Sequence, residues 1–274
     1  MNSANSIWRE RYHQNSKRTG FITSAQFFSR KESVDKMVND IVSGTMGRAK
    51  EQLASLPFSE GDTVLDIGAG PGTLAVPLAK RGCAVTVIEP STLMIEAMGE
   101  YCKRAGVDAE IGVIPDIIDN LSSDKIGTYD YVVSSFAMAF PELKESLMKM
   151  NAAAKKQVHI FWFINTPSWG KVEEDLWHVI HPGERIVRSH ADLIWNCLYE
   201  EGIYANLTVH DMNSPTYYEN AEDAVSEYVR RLCAETDEQK DIVRWYIVSR
   251  ILKTPNGYML PDDGKYAHIW WDTV

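Results

Sequence analysis

A doubly wound α/β fold on a mostly parallel sheet is the class this chain predicts, and three observations carry it. An apolar run at 64–67, broken by one acid, passes through Gly68, Gly70 and Gly72 directly into a helical pattern. A second apolar run at 85–88 closes on Glu89. From 61 to 164, segments rich in β-branched and aromatic residues alternate with segments of helical spacing, the order that builds parallel strands with helices on both faces.

The elements follow in order. The first 60 residues read as a helical cap: Ser29 and Glu32 have capping-box spacing, and Val34, Met37, Val38, Ile41, Val42, Ala49 and Leu53 recur at helical intervals, with Gly44 and Gly47 loosening the helix midway. Strands are predicted at 63–67, 84–89, 109–113, 129–135 and 158–164, and helices at 72–81, 92–105 and 142–155. Gly82 and Gly106 stop the first two of these helices, Ser91 caps the second, and Pro141 suits the first turn of the third. Beyond 164, Trp169, Val172, Leu176, Val179 and Ile180 mark an amphipathic helix that His181-Pro182-Gly183 ends. Ser189 and Asp192 have capping-box spacing before Leu193, Ile194, Cys197 and Leu198, and a strand follows at 204–209. Apolar residues from Ala221 to Cys233, then Val243 to Ile251 behind the capping box Thr236 and Gln239, make a helical hairpin. Alternation at 266–271 gives a last strand. The segment 212–264 between the last two strands is too long for a structureless loop and reads as an inserted helical cap.

Composition bounds the function. A chain of 274 residues with 45% hydrophobic content buries one substantial core, so a single domain is expected. A net charge of −10 repels phosphate backbones and anionic lipid, which argues against nucleic acid and membrane surfaces as partners. No apolar run approaches the ~20 residues that cross a bilayer, and Met1 to Asn5 lack a signal peptide's charged and apolar regions, so a cytoplasmic location is expected. Cys83, Cys102, Cys197 and Cys233 are scattered without a Cys-x-x-Cys pair, which supports neither a disulfide framework nor a thiol metal site.

The glycine turn followed by an acid-terminated strand describes a nucleoside pocket at the carboxyl ends of the strands. A dinucleotide fingerprint would need its third glycine at position 73, which is Thr73; here it comes one residue early, at Gly72. Asp66 would repel a pyrophosphate brought to this turn but suits a ligand with an ammonium or sulfonium centre. These residues therefore favour a cationic nucleoside over a nicotinamide dinucleotide.

At Asp66, Gly68, Gly70 and Gly72 the chain resembles the class I S-adenosylmethionine-dependent methyltransferases, whose first motif reads acid-x-Gly-x-Gly-x-Gly. The resemblance covers roughly 60 to 165. It implies a seven-stranded sheet with the last strand antiparallel, S-adenosylmethionine as cofactor and S-adenosylhomocysteine as product. It implies that Glu89 binds both ribose hydroxyls, and that Asp116 and Ile117 take the adenine amino group and ring, although this chain has Pro115 before the acid where members usually have glycine. It makes 129–135 the strand that borders methyl transfer. The expected cofactor set is Asp66, Gly68, Ala69, Gly70, Gly72, Thr73, Glu89, Pro90, Met94, Asp116, Ile117 and Ser134.

The acceptor is less constrained. Ser134-Ser135-Phe136-Ala137 stands where amino-directed nucleic-acid and protein-glutamine enzymes of that family carry Asn-Pro-Pro-Tyr, and the Pro-Cys pair of cytosine C5 enzymes is absent. Trp162, Trp169 and Trp177 either wall an acceptor or pack the insertion; Tyr12, Phe27 and Phe28 either close the pocket or pack the cap. Tyr12, His159, His178 and Tyr217 are candidate bases, and His178 with His181 lacks a third metal ligand, so no metal is expected. The segments 165–188 and 212–264 would enclose a small-molecule acceptor, whereas a protein side chain needs an open groove. A nucleoside-binding protein without chemistry is the remaining alternative.

Overall fold

The computed structural model describes residues 3–17, 28–183 and 187–273. Its centre is a seven-stranded sheet of β1 (Thr63–Ile67), β2 (Ala84–Ile88), β3 (Gly112–Ile114), β4 (Tyr129–Ser135), β5 (Ala154–Phe163), β6 (Asn206–Asp211) and β10 (Lys265–Asp272), ordered β3-β2-β1-β4-β5-β10-β6. β10 runs antiparallel to both β5 and β6, while the other pairings are parallel. Covered on both faces, β1 reads as an almost continuous apolar run, as buried parallel strands do. Its register with β2 aligns Ile67 with Ile88, so Gly68 and Glu89 emerge side by side at the rim.

One face of the sheet packs Val64, Val87, Val133 and Phe161 under α3 (Gly47–Ser55), α4 (Ala75–Lys80) and α5 (Thr92–Ala105). The opposite face packs Leu65, Ile67, Val132 and Ile160 under α1 (Ala4–Ser16), α7 (Leu143–Ala153) and α9 (Ala191–Glu200). Between α1 and the sheet rim, Trp8 buries its ring and donates Nε1–H to the Phe140 carbonyl at 2.8 Å. α2 (Lys31–Val42) crosses α5 on the first face, where Arg104 reaches Asn39.

The insertion has its own core. α10 (Ala221–Arg231) and α11 (Asp237–Arg250) join α8 (Ser168–Ile180) around Trp177, Tyr228, Leu232, Val243 and Ile247. α6 (Ser123–Ile126) is a single turn between β3 and β4.

Several expectations change. The insertion is not helical throughout, for β7 (Thr216–Tyr218), β8 (Leu252–Thr254) and β9 (Gly257–Leu260) form an antiparallel sheet ordered β7-β9-β8. The helix expected to continue past Gly44 divides into α2 and α3, because Gly44 takes φ 75° and its N–H closes on Ile41. α2 starts at Lys31 with Arg30 as N-cap, one residue later than a Ser29–Glu32 box requires. Likewise α9 is preceded by His190 as N-cap, and the Ser189 carbonyl instead accepts from Trp162 Nε1 at 2.9 Å. β3 occupies 112–114 rather than 109–113, and α7 begins at Leu143, which leaves Pro141 ahead of its first turn. The capping boxes at Thr236 and the cap at Ser91 form as read. Phe27 lies outside the described residues.

Candidate active site

Three strand ends are tied together at the rim. Gly68 N–H donates to the Ile88 carbonyl at 2.8 Å and Glu89 N–H to the Ile114 carbonyl at 3.1 Å, which levels β1, β2 and β3. Gly68 and Gly70 hold φ 70° and 55°, the region that favours glycine. Their surroundings differ. A Cβ on Gly68 would lie 2.2 Å from that of Ala137, whereas a Cβ on Gly70 would meet nothing within 4 Å. Gly70 thus presents bare backbone to the space above the sheet. Gly72 closes the turn by donating to the Ala69 carbonyl at 3.0 Å.

Glu89, 7% exposed, spans the two sides of this space: Oε2 accepts from Gly70 N–H at 2.8 Å and Oε1 from Ser91 N–H at 2.9 Å. Its carboxylate is therefore fixed between the glycine turn and the start of α5, whose cap is Ser91 Oγ accepting from Met94 N–H. Asp66 is 2% exposed beneath the turn. Burial, and then the neighbouring Glu89 charge, push its carboxyl up to about 7, against a lowering hydrogen bond from Ala75 N–H. Two buried carboxyls side by side make a site that gains from a nearby cation.

The rest of the expected set falls around this rim in different ways. Ala69, Thr73 and Met94 are buried, and Pro90 is exposed. Asp116 accepts from Asn120 Nδ2 and Ile117 N–H, both at 2.8 Å, and these bonds hold its carboxyl below the usual range. Ile117 beside it leaves 43% of its surface exposed, unusual for isoleucine. Ser134 is fully buried, and its hydroxyl donates to the Ile67 carbonyl at 3.0 Å, so the side chain staples β4 to β1.

Beyond β4 the chain turns on Phe136, which takes φ 55° without being glycine. Its ring packs on Phe163 at 4.6 Å and Tyr266 at 5.7 Å, and the Arg48 guanidinium lies 4.9 Å from its centroid. Sequence reasoning named Phe136 only within the segment that follows β4 and passed over Arg48 and Gln52. Gln52 interrupts the buried stripe Ala49, Gln52, Leu56 on α3, and a polar residue at such a position was the available signal. A backbone angle carries none.

Other candidates are drawn elsewhere. His159 Nδ1 shares a hydrogen bond of 2.9 Å with His268 Nε2, in a ring-lined recess of about 360 Å³ with Ser55 and Trp270, and burial pulls it down to about 3. His181 Nε2 donates to the Leu232 carbonyl at 2.7 Å, while His178 and Tyr217 are exposed. Trp162 and Trp177 pack as structure. Tyr12 is half-buried with its ring edge on His13. Trp169 lies between Arg188 at 5.0 Å and Arg231 at 5.7 Å, and both arginines bind Glu173, at 2.5 and 3.4 Å.

Residues 64–157 match a family model described as a methyltransferase domain. An uncharacterized protein of Haemophilus influenzae is 25% identical, over 86% of this chain and 86% of its own. The ubiquinone biosynthesis O-methyltransferase of Caulobacter vibrioides is 36% identical over 85 residues, 31% of this chain and 32% of that enzyme, so this match spans about a third of the relative. Among solved structures, a cyclopropane-fatty-acyl-phospholipid synthase-like protein of Lactobacillus casei is similar at TM-score 0.57 and 13% identity, covering 88% of this chain and 100% of that one. The YcgJ protein of Bacillus subtilis gives TM-score 0.55 and 12% identity over 82% and 97%. These two likenesses show a shared fold.

Proposed function

We propose that residues 64–157, which match a methyltransferase domain model, form a class I S-adenosylmethionine-dependent methyltransferase domain, and that the chain holds its donor across the rim at Gly70 and Glu89 and methylates a small molecule. The observation that carries the donor site is the fixed carboxylate of Glu89 beside open backbone at Gly70, over the buried carboxyl of Asp66. A cradle of this kind fits an adenosyl group: Glu89 takes the ribose hydroxyls, Gly68 to Gly72 lets the chain approach, and Asp66 with Glu89 favours the positive end of the donor. Met94, Asp116 and Ile117 flank the base, with Ala69, Thr73, Pro90 and the backbone at Ser134 completing the walls.

Bound S-adenosylmethionine supplies a methyl on a sulfonium, already an excellent leaving group. The residues of this chain then have to orient and to exclude water, and Trp8, Phe136 and Phe140 provide an apolar border at the end of β4.

The small-molecule reading is supported by the net charge of −10, by the O-methyl chemistry named for the Caulobacter relative, and by the 165–188 and 212–264 segments, which in this reading cover the acceptor. In it, 1–60 caps the donor core, 61–211 with 265–274. Among the described residues no helix is long and apolar enough to cross a membrane, and we assign the enzyme to the cytoplasm. The test is calorimetry with S-adenosylhomocysteine on the native protein and on Glu89→Ala. The variant should bind at least about tenfold more weakly; undiminished affinity refutes the ribose assignment. Incubation with labelled donor and a cell extract should then label metabolites rather than protein.

A further inference from the structure

We infer that Arg48 and Gln52, one helical turn apart on α3, receive a carboxylate of the methyl acceptor beside the end of β4. This rests on the methyltransferase reading above and adds to it the chemical class of the acceptor.

Arg48 is a half-buried cation that makes no ion pair among the described residues. Among the described residues no carboxylate lies within 4.0 Å of it, its side-chain hydrogen bond is a long one from Nη1 to Ser214 Oγ at 3.4 Å, and its Nε–H is buried without a partner. The flat guanidinium rests on the Phe136 ring. Gln52 is fully buried; its Oε1 accepts from Ser135 Oγ at 3.2 Å, and its Nε2 donor is likewise without a partner. Residues four apart share a helix face. Two orphaned donors, one charged, therefore belong to neighbouring positions of one helix, where Gln52 meets Ser135 and Arg48 meets Phe136.

The surroundings do not discharge this need. Glu51 accepts from Asn213 Nδ2 at 3.2 Å, and Asp262 commits Oδ1 to the N–H groups of Ser168 and Gly264 at 3.1 and 2.9 Å. Asp262 and Tyr266 are near enough to favour the charged guanidinium, yet burial still pulls Arg48 down to about 10. Arg48 also stands in the first turn of α3, where the helix end is positive and a cation is unfavourable. Buried donors and charges left unpaired cost free energy that a fold retains only for a compensating reason. An anion supplied by a ligand removes every one of these costs.

Geometry selects the anion. A guanidinium fork and one amide donor suit a planar, singly charged carboxylate, whereas a phosphate dianion calls for further cations. Two other largely covered arginines, Arg188 and Arg231, are by contrast held by Glu173, Glu174 and Glu227. Location fits as well, because Ala137, next to Phe136, packs against Gly68 in the donor turn. A carboxylate seated at Arg48 would leave the body of the acceptor over Phe136 and Phe163, on the segment whose Ala137 meets the donor turn.

The test uses the full chain labelled with nitrogen-15 at arginine, saturated with S-adenosylhomocysteine and titrated with sodium benzoate, sodium phosphate and benzamide at constant ionic strength. The Arg48 Nε–Hε signal is assigned by its loss in Arg48→Lys. Benzoate should shift that signal saturably, with affinity at least about tenfold above phosphate and benzamide, and Arg48→Lys and Gln52→Leu should each weaken benzoate at least about tenfold. S-adenosylhomocysteine affinity and melting temperature of both variants should match the native protein. An unresponsive Arg48 signal, equal response to phosphate or benzamide, or benzoate binding undiminished in both variants overturns the inference. Failure of the native protein to bind S-adenosylhomocysteine overturns the methyltransferase reading instead, and the benzoate titration without it still reads Arg48.

Discussion

Two regions of the molecule treat a largely covered guanidinium in opposite ways. Around Trp169, Arg188 and Arg231 share Glu173, which is 5% exposed, and Glu174 and Glu227 complete the ring of charges. This clamp ties α8, the segment before α9, and α10 into one body. At the end of β4, Arg48 has an aromatic ring and one distant hydroxyl. Paired charges hold the first region together, whereas the second keeps a guanidinium that no carboxylate among the described residues meets within 4.0 Å, the position at which we propose a ligand carboxylate. The donor turn repeats the contrast in miniature, with Gly68 filled by Ala137 and Gly70 open.

Breaking the clamp should have the largest effect. Glu173→Ala strands two buried cations and should lower unfolding free energy by about 4 kcal/mol, read by urea denaturation; a loss below about 1 kcal/mol would mean that the clamp is only decorative. Next come the glycines. Gly68→Ala meets both a left-handed backbone and the Ala137 methyl and should cost about 3 kcal/mol, against about 1 kcal/mol for Gly70→Ala. Equal costs would erase the distinction between filled and open positions. Arg48→Met removes a cation that native contacts do not satisfy, so stability should hold or rise by about 1 kcal/mol, the reverse of the Glu173 result. A loss comparable to that of Glu173→Ala would make Arg48 structural.

The smallest effect is a proton. Asp66 has its carboxyl at about 7 in the fold against an ordinary 3.8, so the native state binds more protons than the unfolded state across that interval. Its contribution is therefore present in acid and lost as pH rises from about 4 towards about 7. The stability difference between the native protein and Asp66→Asn should fall over that window, and a flat difference would remove Asp66 from the electrostatics of the rim. Near pH 7, S-adenosylmethionine should displace protons that neutral S-adenosylhomocysteine does not, measured by calorimetry in two buffers of different ionisation enthalpy.

The donor half was legible because local rules govern it. Apolar runs, glycines at fixed spacing and an acid ending a strand all act within a few residues, and β1, β4 and α5 fall at their expected bounds. The acceptor half depends on encounters between distant segments. Arg48 meets Phe136 and Ser214, and the left-handed Phe136 is set by packing on Phe163 and Tyr266, none of which leaves a periodic trace. The short strands β7, β8 and β9 escaped notice for a related reason: three or four residues each, they exist through mutual pairing. Where capping boxes failed, at Ser29 and Ser189, the adjoining helices start after Arg30 and His190, and helix starts are set by packing as much as by local chemistry.

A crystal structure with S-adenosylhomocysteine tests the central claim most directly. The ribose hydroxyls should lie within hydrogen-bonding distance of the Glu89 carboxylate, with the glycine turn against the ligand and Asp66 below it. A ligand seated away from Gly70, or one whose ribose is held by other groups while Glu89 keeps solely its present backbone partners, would contradict it.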